Sequence, residues 1–372
     1  MSKPLKVAFL LGSLNRGGTE TMILDLMKQS GNAPFEMIGI YRYDGEMSDQ
    51  FYNAGPKLIK LSPGTGWKLL NYLFRLRKLL IKNGVNIIHA NQSLDTIYGF
   101  IASFGFGIKV IQTVHSFDCE SDKSGKLLKN ISFKLSDKTV FVSKTQGKYY
   151  SSNYFINRDK VCVVHNGIDF SKFTTHWNND LRELLGIGNE TFLMGMTGNF
   201  SPGKDQMTIC KFLFLLKQSG FRFKFVFWGG KHLLYPELME NCLSFCQENG
   251  LNENVEFWGK REDVPELLLQ LDLFIFSTNH DSFGISVIEA MASGIPVMVN
   301  DWAVMKEISS NGEKVILYES KNEYDLYEKF INVHSEYYKY LEKARENIEW
   351  AKKNFSIEKH LNDIYITYKN SM

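Results

Sequence analysis

Short apolar runs alternate with amphipathic stretches along the first half of the chain. The run KVAFLLGS is followed by TETMILDLMKQS, in which Met22, Ile23, Leu26 and Met27 recur with the period of an α-helix. This alternation continues to about residue 170. Strands that alternate with helices form a parallel sheet that is covered on both faces. The first half is therefore predicted to be a doubly wound α/β domain.

The second half repeats this organisation. Its strand-like runs are TFLMGMTGNF, RFKFVFWGG, NVEFWGK, LDLFIFST and GIPVMVND. Helix-like stretches accompany them at 205–219, 236–249, 263–270, 284–293 and 323–335. The pattern predicts a second doubly wound domain, so the fold class is α/β with two similar domains in tandem.

The boundary between the two domains is expected near the polar segment TTHWNNDLREL, which has no strand pattern. We predict a first domain over 1–170, a second over 171–354, and a final helix over 355–372 that packs back on the first. Ligands of open α/β sheets bind beyond the carboxyl ends of the strands. The site is therefore expected in a cleft between the two sheets.

Charge is distributed unevenly over this organisation. The chain has 372 residues and a net charge of +2, but residues 1–170 hold 22 Lys and Arg against 13 Asp and Glu. This asymmetry predicts an anionic partner for the first domain. No nucleic-acid-binding motif is recognisable, so nucleic acid is not expected. The five cysteines form no C-x-x-C pair and no run approaches 18 apolar residues, which favours a reduced cytoplasmic compartment without a membrane span.

Two basic stretches account for much of this charge. Residues 67–84, WKLLNYLFRLRKLLIKNG, contain five basic residues and no acidic one, and residues 123–138 contain five lysines. An amphipathic basic helix binds anionic membrane surfaces, although a core-packing helix with a solvated basic face gives the same pattern. Peripheral attachment to an anionic membrane is thus one hypothesis for the first domain.

Two glycine-containing segments are candidates for phosphate binding. The loop GSLNRGGTE, with Gly17 and Gly18, follows the first strand and opens a helix, but it lacks the lysine of a P-loop. The segment DSFGISVIEAMASGIPV places Asp281 before a turn and Glu289 inside the helix that follows. Backbone N–H groups at such a helix start attract anions. The candidates at this start are Phe283, Gly284, Ile285 and Ser286.

The stretch FSTNHDSFGISVIEAMASGIPVMVND closely resembles glycosyltransferase family 4, a family of retaining sugar transferases with the GT-B fold. Further blocks resemble this family in the same order, namely GGTE, NIIHANQ, TVHS, HNGID, TGNFSPGKD and VEFWGKREDV. The resemblance covers nearly the whole chain. It implies two Rossmann-like domains, the first on the acceptor side and the second holding a nucleotide sugar.

The resemblance also implies where the missing positive charge lies. The family places an Arg and, five residues later, a Lys against the donor diphosphate, and the corresponding residues here are Asn199 and Lys204. The substitution of Asn for Arg leaves alternatives open: donor binding is weaker, or another cation such as Lys231 or Lys260 takes over. Lys260 lies in the block that resembles the family's base-binding loop.

Other site residues follow from the same resemblance. Asp281, where the family usually has Glu, is expected on hydroxyls of the donor sugar, and Glu289 on those of the ribose. His115 at the end of TVHS is expected to contact the transferred sugar. His115, Lys204 and Asp281 are the catalytic candidates. No metal site and no cofactor are expected, because the nucleotide sugar is a co-substrate.

The resemblance thus implies a metal-independent, hexosyl-type glycosyltransferase acting in surface polysaccharide synthesis. Its expected partners are a nucleotide-sugar donor and a glycan or lipid-linked acceptor. Alternatives are another GT-B activity, such as a sugar-nucleotide epimerase, and an inactive protein that binds nucleotide sugars.

Overall fold

The structure is a computed structural model that describes residues 4–117, 123–173 and 180–372. It divides into two compact units, Met1–Ile168 with Phe355–Met372, and Asp169–Asn354. Residues 174–179 of the expected linker lie outside the described part. The end of that segment forms a short helix, Leu181–Leu184.

The first unit contains a seven-stranded sheet in which every pairing is parallel. Its strands are β1 (Lys6–Ser13), β2 (Glu36–Tyr43), β3 (Lys57–Lys60), β4 (Ile87–Ala90), β5 (Lys109–Val114), β6 (Lys138–Phe141) and β7 (Val161–Val163). The order is β3-β2-β1-β4-β5-β6-β7, so the direction of winding reverses between β1 and β4. The carboxyl ends at such a reversal line the usual ligand-binding crevice of a doubly wound sheet.

Helices cover this sheet and complete its core. They are α1 (Gly18–Lys28), α2 (Ser48–Tyr52), α3 (Trp67–Lys82), α4 (Ser93–Ser103), α5 (Lys123–Leu135) and α6 (Lys144–Asn153). In α3, Leu76 and Leu80 are buried against β1, β2 and β4, and Leu69 and Leu73 pack beside them. The apolar stripe of the first basic stretch therefore faces the protein core.

The second unit contains a six-stranded parallel sheet in the order β10-β9-β8-β11-β12-β13. Its strands are β8 (Phe192–Thr197), β9 (Phe223–Trp228), β10 (Val255–Phe257), β11 (Leu273–Phe276), β12 (Val297–Asn300) and β13 (Ile316–Tyr318). Strands β8, β9, β11 and β12 are almost wholly buried. This explains why they are continuous apolar runs rather than alternating ones.

The helices of the second unit include the five that the sequence predicted and three that it did not. They are α7 (Leu181–Leu184), α8 (Gln206–Gln218), α9 (Glu237–Glu248), α10 (Val264–Leu268), α11 (Ile285–Ala292), α12 (Ala303–Ile308), α13 (Glu323–Ser335) and α14 (Tyr337–Phe355). The 19-residue helix α14 was not predicted, because its sequence is highly polar with few apolar positions. Strand β13 was also not predicted.

The last helix, α15 (Ile357–Lys369), belongs to the first unit. Tyr368 is fully buried, and its ring packs edge-on against Phe35 with the ring centres 5.1 Å apart. The Tyr368 hydroxyl also lies 2.5 Å from Nδ1 of His89 on β4. Gly167 permits the close approach of the chain here, because a Cβ atom at this position would lie 2.6 Å from the carbonyl oxygen of Ser356.

Candidate functional site

Three loops converge at the carboxyl ends of β8, β9 and β11 in the second unit. Backbone hydrogen bonds join them: Gly198 N–H donates to the Trp228 carbonyl at 2.8 Å, and Asp205 N–H donates to the Ser277 carbonyl at 3.1 Å. The carboxylate of Asp205 caps α8 and also accepts a hydrogen bond from the Ser277 hydroxyl at 3.3 Å. The loops are therefore held in one fixed arrangement by the protein itself.

Lys204 and Asp281 form an ion pair within this arrangement. The Lys204 ammonium donates to Oδ2 of Asp281, and the two side chains are only 18% and 14% exposed. The ammonium also lies 4.6 Å from the centre of the Phe276 ring, a favourable cation–π position. Burial raises the pKa of Asp281, but Lys204 and two backbone N–H groups outweigh this and hold it below its ordinary value. The Asp281 carboxylate is therefore charged at neutral pH.

The other oxygen of Asp281 fixes the start of α11. Oδ1 accepts hydrogen bonds from the N–H groups of Phe283 at 3.1 Å and Gly284 at 3.0 Å. Gly284 has φ +87°, a left-handed conformation that glycine adopts without strain. A Cβ atom there would also lie 2.7 Å from Cε of Met305. Both carboxylate oxygens of Asp281 are therefore engaged by the protein.

This geometry alters the expectation for the helix start. The N–H groups of Phe283 and Gly284, expected to meet an anion, donate to Asp281 in this structure. Ile285 and Ser286 occupy the first turn of α11, and N–H groups of a first turn have no acceptor within their own helix. The indole of Trp302 donates to the carbonyl of Asp281 at 3.0 Å and supports this turn.

Glu289 lies about one helical turn after Ile285 and is half-buried. Gly284 precedes α11, and Gly294, with φ +69°, follows its end. Asp281 and Glu289 are therefore presented by the same loop and helix. Their individual roles toward a ligand stay predictions.

The arginine position of the family motif has a structural role here. Asn199 is exposed, and its Oδ1 accepts a hydrogen bond from Gly230 N–H at 2.7 Å. The side chain of Lys260 also packs against Gly230. A Cβ atom on that glycine would lie 3.0 Å from Cε of Lys260. Lys231, the other alternative cation, pairs with Glu240 at 2.5 Å.

Several residues that position Lys204 were not identified from the sequence. Asn279 donates to the carbonyls of Pro202 at 3.4 Å and Lys204 at 3.2 Å, and the Thr278 hydroxyl donates to Gly203 at 2.5 Å. The sequence feature that could have identified them is the run of polar residues directly after the buried strand β11. Thr278 and Asn279, at the end of β11, hold the loop that carries Lys204 through these hydrogen bonds.

The first unit brings His115 together with Asn91. Nε2 of His115 lies 2.9 Å from Oδ1 of Asn91, at the carboxyl ends of β5 and β4. Burial lowers the pKa of His115 to about 3, with a further contribution from His360. The imidazole is therefore neutral at pH 7. His89 is buried between Tyr368 and Thr113, 2.7 Å from the latter, as expected for a structural histidine.

The glycine loop after β1 starts α1 in the first unit. Gly17 is its N-cap residue, and its carbonyl accepts from Thr21 N–H at 3.0 Å. A Cβ atom on Gly17 would lie 2.7 Å from Oε2 of Glu20, whose pKa is raised by burial. Gly17 and Gly18 lie in the first unit, whereas Lys204 lies in the second. The carboxyl group of Glu20, a residue of the protein itself, lies beside this helix start.

The described residues provide neither a grouping of metal ligands nor a membrane-spanning helix. In the described parts of the chain no three His, Cys, Asp or Glu side chains are grouped as a metal ion requires. Among the helices that the structure describes, none has both the length and the apolar character to span a membrane.

The two units and the loops of the second define the class of protein: the fold is that of the GT-B glycosyltransferases. A crystal structure of Anabaena Alr3699/HepE in complex with UDP and glucose superimposes with a TM-score of 0.87 and 19% identity, covering 98% of this chain and 100% of that one. This confirms the predicted fold class.

The family follows from the sequence comparisons. Glycosyltransferase Family 4 matches residues 16–172, and Glycosyl transferases group 1 matches residues 178–353. The chain belongs to glycosyltransferase family 4, which confirms the resemblance noted above. Together the two matches span nearly the whole chain.

Two curated relatives of this chain come from Escherichia coli. One is named UDP-Gal:alpha-D-GlcNAc-diphosphoundecaprenol alpha-1,3-galactosyltransferase and is 26% identical, over 69% of this chain and 66% of its own length. The other is named O-antigen biosynthesis glycosyltransferase WclY and is 22% identical, over 88% of this chain and 92% of its own length.

Proposed function

We propose that this protein transfers a hexosyl group from a nucleoside diphosphate sugar to a hydroxyl of a glycan or lipid-linked acceptor, with retention of configuration. The observation that carries the proposal is the Lys204–Asp281 pair beside the start of α11. A fixed ammonium and a helix N-terminus are the two features that a protein uses to bind phosphate without a metal. The UDP complex of HepE and the donor named for the galactosyltransferase support a UDP sugar.

Donor binding is assigned to the second unit. Lys204 and the first-turn N–H groups of Ile285 and Ser286 hold the diphosphate, and Glu289 accepts hydrogen bonds from the ribose hydroxyls. Asp281 keeps Lys204 and the helix start in place and contacts the sugar at close range. Charge that develops on the leaving diphosphate is then stabilised by groups that are already oriented.

The chemical step breaks the bond between the anomeric carbon and the diphosphate oxygen, and the electron pair leaves with the diphosphate. The acceptor oxygen bonds to the anomeric carbon on the same face, and its proton passes to the departing phosphate oxygen. Protein cations take the part that a metal ion has in other transferases. Turnover in EDTA equal to turnover with added Mg²⁺ is the expected result.

The first unit is assigned to the acceptor and the transferred sugar. His115 is neutral and bonded to Asn91, so it presents a hydrogen-bonding group without a charge. A neutral group suits sugar hydroxyls better than the diphosphate. The acceptor of the galactosyltransferase relative is a sugar on diphosphoundecaprenol, and the name of the second relative refers to O-antigen biosynthesis. We infer a lipid-linked acceptor in surface polysaccharide synthesis.

A lipid-linked acceptor requires access to a membrane, and α3 has a surface suited to this. Trp67 is 86% exposed and Phe74 is 67% exposed, on a helix without acidic residues. Arg77 donates to the Ala102 carbonyl at 2.9 Å and stacks 5.3 Å from the Phe106 ring, which joins α3 to the exposed end of α4. Exposed aromatic and basic side chains together bind the interface of an anionic bilayer. We propose peripheral attachment through this surface.

Vesicle sedimentation tests the attachment. Wild type should sediment with phosphatidylcholine vesicles that contain phosphatidylglycerol, and release should increase with salt. The double variant Trp67→Ala with Phe74→Ala should stay in the supernatant. A matched control changes Leu233 and Leu234 to Ala, because these exposed residues lie in the second unit. Equal sedimentation of both double variants would refute the assignment to α3.

Nucleotide release tests the catalytic proposal. The protein is incubated with UDP, GDP and ADP sugars, with and without a lipid-linked sugar acceptor, and free nucleoside diphosphate is measured. Release that requires acceptor, with an α-linked product from an α-linked donor by NMR, is the expected result. Binding without release indicates an inactive binding protein, and a changed sugar on the nucleotide without release indicates an epimerase.

A further inference from the structure

A hydrogen bond between two side chains crosses the end of β1 in the first unit. Arg42 is the next-to-last residue of β2, and Gln92 follows β4. The Arg42 guanidinium donates to Oε1 of Gln92 at 2.7 Å. Strands β2 and β4 are the two neighbours of β1, and the winding of the sheet reverses here. The hydrogen bond therefore lies at the crevice that a doubly wound sheet uses for ligands.

The end of β1 leaves room for this contact. A Cβ atom on Gly12, the next-to-last residue of β1, would lie 2.7 Å from Nε2 and 2.9 Å from Oε1 of Gln92. A larger residue at position 12 would displace the Gln92 amide. Gln92 is also the N-cap residue of α4, but its side chain makes no capping hydrogen bond. The amide is therefore oriented by Arg42 rather than by its own helix.

The charge of Arg42 is compensated by Asp95, in the first turn of α4. Nε of Arg42 lies 3.0 Å from Oδ1 of Asp95, and Nη2 donates to Oδ2 at 3.3 Å. Arg42 is 8% exposed and Asp95 is 1% exposed. Burial raises the pKa of Asp95 to about 6 against the opposing effect of Arg42, so the carboxyl group is largely charged at pH 7. The pair thus carries no net charge, which suits a neutral ligand group beside Gln92.

Gln92 is the accessible member of this group, because it is only partly buried. A guanidinium can only donate hydrogen bonds, so the oxygen of the Gln92 amide faces Arg42, and Nε2, a donor, lies over Gly12. The preceding residue, Asn91, contacts His115 at the end of β5. Two consecutive amides at the end of β4 therefore reach the strand ends on either side of the crevice.

We propose that Gln92 binds the acceptor: its Nε2 group donates a hydrogen bond to a hydroxyl of the acceptor sugar, and Arg42 is the positioning residue that orients the amide. This inference rests on the proposed function, which assigns the acceptor to the first unit. Gln92 then acts on acceptor affinity alone, whereas the donor is bound by groups of the second unit. Acceptor and donor affinity should respond to different variants.

Steady-state kinetics on the full-length protein tests the inference. The acceptor probe is N-acetylglucosamine linked to an alkyl diphosphate, and the donor is the nucleotide sugar that supports nucleotide release with it. Gln92→Glu retains an oxygen for Arg42 but removes the amide donor, and Gln92→Ala removes both. Each should raise the acceptor KM about 2- to 10-fold, as for the loss of one neutral hydrogen bond, and leave the affinity for UDP in titration unchanged.

Gln29→Glu is the matched control, because Gln29 lies beyond the far end of α1, where its Oε1 accepts from Asn32 at 3.1 Å. It should have the acceptor KM of wild type. A wild-type acceptor KM in Gln92→Glu would overturn the inference, since it would show that Gln92 serves only as a partner of Arg42. An equal rise in Gln29→Glu, or weaker UDP binding by the Gln92 variants, would also overturn it.

Arg42→Lys tests the positioning role. Lysine retains the charge beside Asp95, but it lacks the planar fork with which arginine contacts Asp95 and Gln92 together. The acceptor KM should rise as in Gln92→Ala, and the double variant should show no further rise, because both changes remove the same contact. Additive effects would show that Arg42 does not act through Gln92. Melting temperatures establish that each variant is folded, and Gln92→Glu leaves the ion pair intact.

Wild type also separates this inference from the proposed function. If it releases no nucleotide in response to the acceptor from UDP, GDP or ADP sugars, the proposed function itself fails. Acceptor-dependent release by wild type, with an unchanged acceptor KM in both Gln92 variants, refutes only the role of Gln92.

Discussion

The Lys204 ammonium donates to the carboxylate of Asp281, although the two residues are 77 positions apart in the sequence. The same carboxylate accepts hydrogen bonds from the N–H groups of Phe283 and Gly284 in the turn before α11. One side chain therefore positions both the charged group and the helix that we assign to the donor diphosphate. Such preorganisation lowers the cost of stabilising a charged leaving group.

Removal of the charge on Lys204 should impair catalysis strongly. We expect Lys204→Gln to lower kcat/KM for the donor by about 10²- to 10³-fold, the usual effect of removing one group that stabilises developing negative charge. Steady-state kinetics with varied donor measures this. Lys231→Gln, whose lysine pairs with Glu240, is the control. Equal rates for the two variants would exclude Lys204 from the site.

Asp281 should contribute to stability through the hydrogen bonds that its carboxylate accepts and through its negative charge. Asp281→Ala loses the acceptor for the N–H groups of Phe283 and Gly284 and should destabilise the protein by about 1 to 2 kcal/mol, whereas Asp281→Asn retains that acceptor. Urea unfolding followed by circular dichroism measures both. A loss in the Asn variant as large as in the Ala variant would show that these two hydrogen bonds are unimportant.

The pH dependence of the Asp281 contribution follows from its lowered pKa. The folded value lies below the ordinary 3.8, so the charged form is stabilised above pH 3.8 and this contribution is lost as pH falls through the folded value. The stability difference between wild type and Asp281→Asn should therefore be constant near neutral pH and disappear in strong acid. A difference that grows on acidification would contradict this.

His89 and His115 should make the first unit sensitive to acid. Burial lowers the pKa of each to about 3 from an ordinary 6.5, and charge on His115 and His360 adds to the effect on His89. Between these values the unfolded chain binds protons that the folded chain does not, so stability falls as pH falls below 6.5. The slope is up to about 1.4 kcal/mol per pH unit for each histidine.

A histidine variant isolates this effect. The free energy of unfolding of wild type and His115→Gln should be measured at pH 7.5 and pH 5. His115→Gln should lose less stability over this interval than wild type, because one proton-binding group of the unfolded state is gone. Identical losses would show that His115 titrates normally in the folded protein.

Glu289 should recognise ribose. Glu289→Gln is expected to weaken UDP binding about 10-fold, because one charged hydrogen bond to a hydroxyl is lost. The effect should be much smaller for 2′-deoxy-UDP, which lacks one of the hydroxyls. Titration of UDP and 2′-deoxy-UDP into wild type and Glu289→Gln measures the coupling between the Glu289 carboxylate and the 2′-hydroxyl. An equal loss for the two nucleotides would place Glu289 elsewhere.

The sequence by itself determined the fold class, the family and most of the helices and strands. Continuous apolar runs such as FKFVFW identify buried parallel strands, because both faces of such a strand lack water. It also determined which residue types stand at the motif positions, including Asn199 and Asp281. The short strands β3 and β13 were not predicted.

Only the tertiary structure decided which of these residues meet. Lys204 pairs with Asp281, and His115 with Asn91, and each pairing joins side chains from different strand ends. These contacts depend on strand order, which short-range patterns along the chain do not encode.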